Sequence, residues 1–259
     1  MADPVTPDHR VAVALLAHPD DCEILCAGTM LRLQQEQGFA LHIVTATSGD
    51  CGSATEPPAV IAARRADEAA AAAALARARY HCLGLRDLNV FLNAESVAAA
   101  IGLFRAINPT VVFTHPRHDY MLDHEQTHLI ARAATFGFAI PNAHPTPVPA
   151  GARVPHLYYC DPLAGRDPYR GDEVRPDVTV DVTAVHERKL QMLACHASQR
   201  DWLRAHHGMD EYLDAVRRHD ALRGRSIGVG YAEAFVRHVG HAYPENDLVG
   251  SLLKKRRQA

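Results

Sequence analysis

The chain has 259 residues, 47% hydrophobic and 22% charged, with 27 Lys and Arg against 30 Asp and Glu for a net charge of −3. This composition fits one globular domain over 1–259 with an ample core, and it excludes a disordered chain or a strongly basic nucleic-acid surface. Seventeen histidines outnumber Met, Trp and Phe together, which directs attention to metal binding and proton transfer.

Strand-like and helix-like segments alternate along the chain. Val11–Ala17 is a continuous apolar run, the pattern of a strand buried on both faces. Glu23–Gln37 reads as a helix closed by Gly38, and Ala40–Thr47 as the next strand. An Ala-rich helix is expected over Val60–Arg79, a short strand over Tyr80–Leu83 and a helix over Ala94–Ile107. Pro109–His115 is another buried strand and Asp123–Phe138 another helix. The alternation predicts an α/β, Rossmann-like fold, with a mostly parallel sheet and helices on both faces. Ligands in such folds bind at the C-terminal ends of the strands.

Regularity lapses at 141–155, which holds five prolines, and again at 161–177, between strands expected at His156–Cys160 and Val178–Val182. From Ala184 onward the chain reads as mainly helical, ending in a basic tail, Lys254–Arg257, that reads as a solvated terminus. No apolar run approaches the ~20 residues of a membrane helix, and no leader pattern opens the sequence. The expectation is a cytoplasmic protein without membrane or nucleic-acid partners. Its six cysteines (Cys22, Cys26, Cys51, Cys82, Cys160 and Cys195) are expected as reduced, buried thiols.

Two strand ends concentrate the chemistry. The first strand runs into His18-Pro19-Asp20-Asp21-Cys22-Glu23, and the fourth into His115-Pro-Arg-His118-Asp119-Tyr120-Met121-Leu122-Asp123-His124. Taken alone, the Asp pair is a helix cap. With the second cluster at the same edge of the sheet, two imidazoles and a carboxylate can converge on a metal that acidifies water, while a free carboxylate serves as base. His115 is equally suited to ligation or to supporting a ligand, and His128 shares a helix face with His124.

The motif His18-Pro-Asp20-Asp21-x-Glu23, followed by Cys26-Ala-Gly28-Thr29, resembles that of the LmbE/PIG-L family of zinc-dependent N-deacetylases. The resemblance implies His18, Asp21 and His124 as ligands for Zn2+ or another divalent metal, and Asp20 as the catalytic base. It extends to Ser48–Gly52, to Arg65-x-x-Glu68, to Asp87 and to His196-x-Ser198-Gln199. Arg65 and Asp87 are implied as substrate-binding residues, Asp87 against sugar hydroxyls. One departure stands out: the family's second motif begins with a His that stabilises the oxyanion or assists protonation, and Met121 occupies that position. His118 and His196 are the candidate helpers in its place. The implied activity is removal of an N-acetyl or other N-acyl group from a small amino-sugar conjugate. The alternatives are an amidase of the same family acting on a larger amide, or a non-catalytic metal- or sugar-binding module. Family members often self-associate, which makes the two irregular loops candidate contacts of a homo-oligomer as well as walls for the substrate.

Overall fold

A computed structural model describes residues 9–200, 203 and 212–253. The basic tail and His206–His207 lie outside the described residues. The chain order is β1 (Val11–Leu16), α1 (Asp21–Leu25), α2 (Ala27–Gln37), β2 (Ala40–Thr47), α3 (Pro58–Leu75), β3 (Arg79–Leu85), α4 (Ala94–Ile107), β4 (Val111–Thr114), α5 (Leu122–Gly137), β5 (His156–Cys160), β6 (Val178–Asp181), α6 (His186–Leu193), α7 (Tyr212–Ser226), β7 (Ala232–Arg237) and α8 (Leu248–Leu253).

The strands form one seven-stranded sheet in the order β3-β2-β1-β4-β5-β7-β6. The first five are parallel, and β7 runs antiparallel to both β5 and β6. The period-2 geometry of β1 divides the core: Ala12, Ala14 and Leu16 pack on one face with residues of α1, α2 and α3, while Val13 and Leu15 pack on the other with α4 and α5. The chain leaves β1 toward β2 on one side, and β4 lies on the other. This is the topological switch point at which an open α/β sheet opens a crevice, and His18 and His115 follow the two strands that flank it.

The fold departs from the sequence expectation in three places. The helix expected over Glu23–Gln37 is two helices, broken at Cys26, whose φ of −149° leaves the helical region. The Ala-rich helix stops at Leu75, and Arg77 turns through positive φ before a longer β3 begins. The expected helical C-terminal region contains β7. Its sequence, Ala-Glu-Ala-Phe-Val-Arg, carries weak strand propensity and a charge that would ordinarily face solvent. Of the expected buried thiols, Cys22, Cys26 and Cys160 are buried, whereas Cys82 is exposed on the edge strand; all six are unpaired. No helix among the described residues is long and apolar enough to cross a membrane.

The Pro-rich loop is held by buried Arg105 of α4, whose guanidinium donates to the carbonyls of Phe138, Ile140, His144 and Thr146. The second loop is tied at its base by buried Arg223 of α7, which makes a two-pronged pair with Asp161 at 2.7 and 2.9 Å and donates to Val174 O.

The C-terminal elements are tied to the rest by charge. Lys189 of α6, 0% exposed, lies 2.6 Å from Asp220 of α7 and 2.8 Å from Glu233 of β7. Glu233 also accepts from the backbone N–H groups of Gly28 and Thr29 at the start of α2, at 2.8 and 2.7 Å. There the carboxylate satisfies orphan donors and meets the positive end of the helix dipole. Gly28 permits the approach, since a Cβ there would lie 2.8 Å from Val182 and 2.9 Å from the Glu233 carboxylate. Removing one partner from a buried charge cluster leaves the others uncompensated. Lys189→Met is therefore expected to cost about 3–5 kcal/mol, read as a fall in the urea unfolding midpoint.

Candidate active site

The turn after β1 is set by its own side chains. The Asp21 carboxylate accepts from the backbone N–H of His18 at 2.7 Å, and Ile24 N donates to Asp20 O at 3.0 Å to start α1. Asp20, between them, sits at φ 107°, in the left-handed region that a non-glycine residue enters at a cost. Three consecutive chemical groups are thereby placed at the switch point.

His18, Asp21 and His124 are all buried and offer donor atoms within 4.8 Å of one another. Nδ1 of His18 lies 3.1 Å from Nε2 of His124, and the Asp21 oxygens lie 3.6 Å from the first and 3.7 Å from the second. Carboxylates engage the opposite nitrogen of each ring. His18 Nε2 contacts Asp87 at 3.1 Å and Asp123 at 3.4 Å, and His124 Nδ1 contacts Asp119 at 2.8 Å. Assigning the ring protons to these acceptors leaves two lone pairs facing each other beside a carboxylate. Such an electron-rich pocket calls for a cation.

The spacing suits zinc. Tetrahedral N and O donors at ~2.0–2.1 Å from the ion stand roughly 3.3–3.5 Å apart, within the span of the three separations. Carboxylates behind the imidazoles are the usual support for metal-binding histidines.

His115 belongs behind this set. Its Nε2 accepts from Ala17 N at 2.9 Å, so that lone pair is occupied, and its ring stacks on His124 with centroids 4.0 Å apart. Burial lowers its pKa to about 4 and keeps it neutral. His128 lies one layer further back, with Nδ1 2.9 Å from His115 O.

The adjacent carboxylates are driven apart. Burial penalises a charged Asp21, but the His124 and His115 rings and the His18 contact hold its pKa well below the usual range. At Asp20 burial prevails and raises the pKa, with Asp21 adding to the rise and Arg65 opposing it. Divergence of this kind assigns different jobs to two neighbouring acids.

The Tyr212 hydroxyl donates to Asp20 Oδ2 at 2.6 Å, and Arg65 Nη2 lies 3.8 Å from Oδ1. Arg65 is buried and fixes the turn as well, donating to Pro19 O at 2.7 Å and to Gly49 O at 3.3 Å. Gly49 has φ +67°, and a Cβ there would fall 2.1 Å from Arg65 Nη1, so only glycine fits. Glu68, one turn along α3, accepts from the backbone and hydroxyl of Ser198, and Gln199 donates to Gly52 O. These contacts hold His196 in place, its Nε2 3.5 Å from Glu23. Burial disfavours charging His196, but Glu23 and Asp20 outweigh that and raise its pKa.

Thus His18, Asp20, Asp21 and His124 are brought together, and Arg65 and His196 flank Asp20. Asp87, expected to meet sugar hydroxyls, contacts His18 with one oxygen and accepts from Cys51 N at 3.1 Å with the other. Arg65, expected to face substrate, is engaged by backbone carbonyls of the Asp20 turn and of Gly49. His118 points elsewhere, to Asp167 of the second loop at 2.7 Å. The sequence reasoning missed Asp119, Asp123 and Tyr212. Asp119 could have been found by its place five residues before His124; Tyr212 arrives from a remote helix with no local signal.

Residues 13–135 match the sequence profile of the family described as PIG-L: GlcNAc-PI de-N-acetylase. Over this segment, just under half of the chain, the sequence follows the PIG-L/LmbE pattern. The segment contains every residue of the His/Asp cluster but not His196 or Tyr212. The 4-oxalmesaconate hydratase of Pseudomonas putida is 25% identical over 237 residues, covering 88% of this chain and 86% of its own. Among solved structures, the N,N'-diacetylchitobiose deacetylase of Pyrococcus horikoshii superposes with a TM-score of 0.75 at 25% identity, over 95% of this chain and 92% of that one. The 4-carboxy-2-hydroxymuconate hydratase of Pseudomonas putida shares the fold at a TM-score of 0.73 and 23% identity, over 92% and 100% of the two chains. Proteins similar to this chain thus include both a deacetylase and hydratases.

The carboxylate behind His124 generates a prediction. Asp119→Ala should weaken Zn2+ binding by about 10–100-fold, measured by competition with a chromophoric chelator, with the far-UV circular dichroism unchanged.

Proposed function

We propose that the protein is a metal-dependent hydrolase that removes an N-acetyl or other N-acyl group from an amino-sugar conjugate. The observation that carries this reading is the pair Asp20–Asp21: one carboxylate is turned into the His/Asp donor set, while its neighbour stays outside it with a raised pKa. A divalent ion held by His18, Asp21 and His124 would supply Lewis acidity to a carbonyl oxygen and lower the pKa of water.

The protein's own groups do the rest. Asp20 accepts the proton of the attacking water while its oxygen bonds to the amide carbon. Tyr212 and Arg65 fix the orientation of that carboxylate. The proton held at Asp20 then passes to the departing nitrogen, because an amine leaves readily only when protonated. The deacetylase of similar structure that acts on diacetylchitobiose supports an N-acetyl sugar as the substrate class.

A second reading is hydration of an unsaturated carboxylate. It is favoured by the hydratase relative that spans 88% of this chain and by Met121, which removes an imidazole that amide cleavage would use. Both reactions begin with the same proton transfer to Asp20.

Acetate release from diacetylchitobiose and N-acetylglucosamine conjugates, run beside consumption of 4-oxalmesaconate, separates the two. Acetate release by the zinc-loaded protein is expected; turnover of the unsaturated acid alone would favour the second reading. Asp20→Asn should lower kcat by about 10²–10⁴-fold with zinc content retained. Wild-type turnover in that variant would falsify the role of the base.

A further inference from the structure

The position at which the family motif carries an imidazole is Met121, and a thioether donates no hydrogen bond. The residue before it is Tyr120. Its ring stands edge-on to His124, with centroids 5.4 Å apart and planes at 80°. It is nonetheless 73% exposed, the highest value among the exposed large hydrophobic and aromatic side chains of the described residues. An aromatic side chain that touches a candidate metal-binding imidazole and otherwise faces open space lies where a substrate must enter.

The hydroxyl distinguishes it further. Tyr80, Tyr158, Tyr159, Tyr212 and Tyr243 each spend theirs on a protein partner. Among the described residues, the Tyr120 hydroxyl has no such partner. The site therefore presents one uncommitted donor beside the His/Asp cluster, adjacent in sequence to the missing imidazole.

We propose that Tyr120 is a catalytic residue that replaces the absent histidine as hydrogen-bond donor to the oxygen on which negative charge develops. As the water oxygen bonds to the amide carbon and Asp20 accepts the proton, the carbonyl π pair moves onto oxygen. The Tyr120 O–H donates to that oxygen and keeps its own proton throughout. A donor aimed at developing charge contributes more in the transition state than in the ground state, so its loss falls on kcat more than on KM. The assignment rests on the hydrolase reading for the identity of that oxygen.

The test compares Tyr120→Phe and Tyr120→Phe/Met121→His with the native zinc-loaded protein. Tyr120→Phe is expected to lower kcat for acetate release about 10²–10³-fold, with KM within about twofold and zinc content unchanged. Met121→His added to it should restore at least about tenfold. A kcat within twofold of native, or a loss confined to KM, overturns the proposal. A binding measurement separates this outcome from failure of the hydrolase reading, because it needs no turnover. A methylphosphonamidate of glucosamine carries the tetrahedral, charged oxygen arrangement, and its Kd by calorimetry should rise at least about tenfold in Tyr120→Phe. Equal affinity in the two proteins, or no binding to the native protein, overturns the role of Tyr120 whichever substrate is turned over.

Discussion

Two imidazole nitrogens approach to 3.1 Å between His18 and His124, and three carboxylates behind the rings direct their lone pairs toward each other. Left alone, that arrangement is repulsive; with a cation in it, the repulsion becomes coordination. Much of the surrounding structure serves to impose it. Asp87 and Asp123 hold the far nitrogen of His18, and Asp119 holds that of His124. Asp123 is in turn fixed by the backbone N–H groups of Leu88 and Val90, so the loop after β3 takes part in setting the angle of a ring that follows β1. His115 supplies a neutral plate behind His124 that adds no charge of its own.

The second device is the buried cluster around Lys189. Glu233 is shared between that lysine and the first turn of α2, the helix that follows α1 and the His18–Asp21 turn. The antiparallel end of the sheet is thereby locked to the segment bearing the chemistry. Such clusters contribute less to net stability than their Coulomb energy suggests, because desolvation offsets most of it. Their demand on geometry is strict, and that is what a site with tolerances of a few tenths of an ångström requires.

The parallel half of the sheet was legible because its strands are unbroken apolar runs, which few other structures accommodate. The strand ends were legible as a site because His18, Asp20 and Asp21 fall within four positions and a second His/Asp cluster ends another such run. What escaped depends on partners remote in sequence. β7 hid because Ala232 and Glu233 look neither strand-like nor buried until Lys189 is placed against them. Asp87 reads as an open acceptor in the sequence, yet both its oxygens are engaged across the crevice. Tyr212 meets Asp20 over 192 positions, a separation that no local pattern reports.

The left-handed turn at Asp20 makes base and donor set neighbours in the chain, projecting from one strained step of backbone. On the proposed reading, Asp21 as ligand and Asp20 as base are therefore inherited as one block and cannot drift separately without loss of the turn. The walls of the crevice come from other places: the loop hung on Arg223 and His118, the helix bearing Arg65, and the rim at Tyr120. Such a division lets descent keep the turn while remodelling the crevice around it. Deacetylases and hydratases on one fold are what such a division would leave behind.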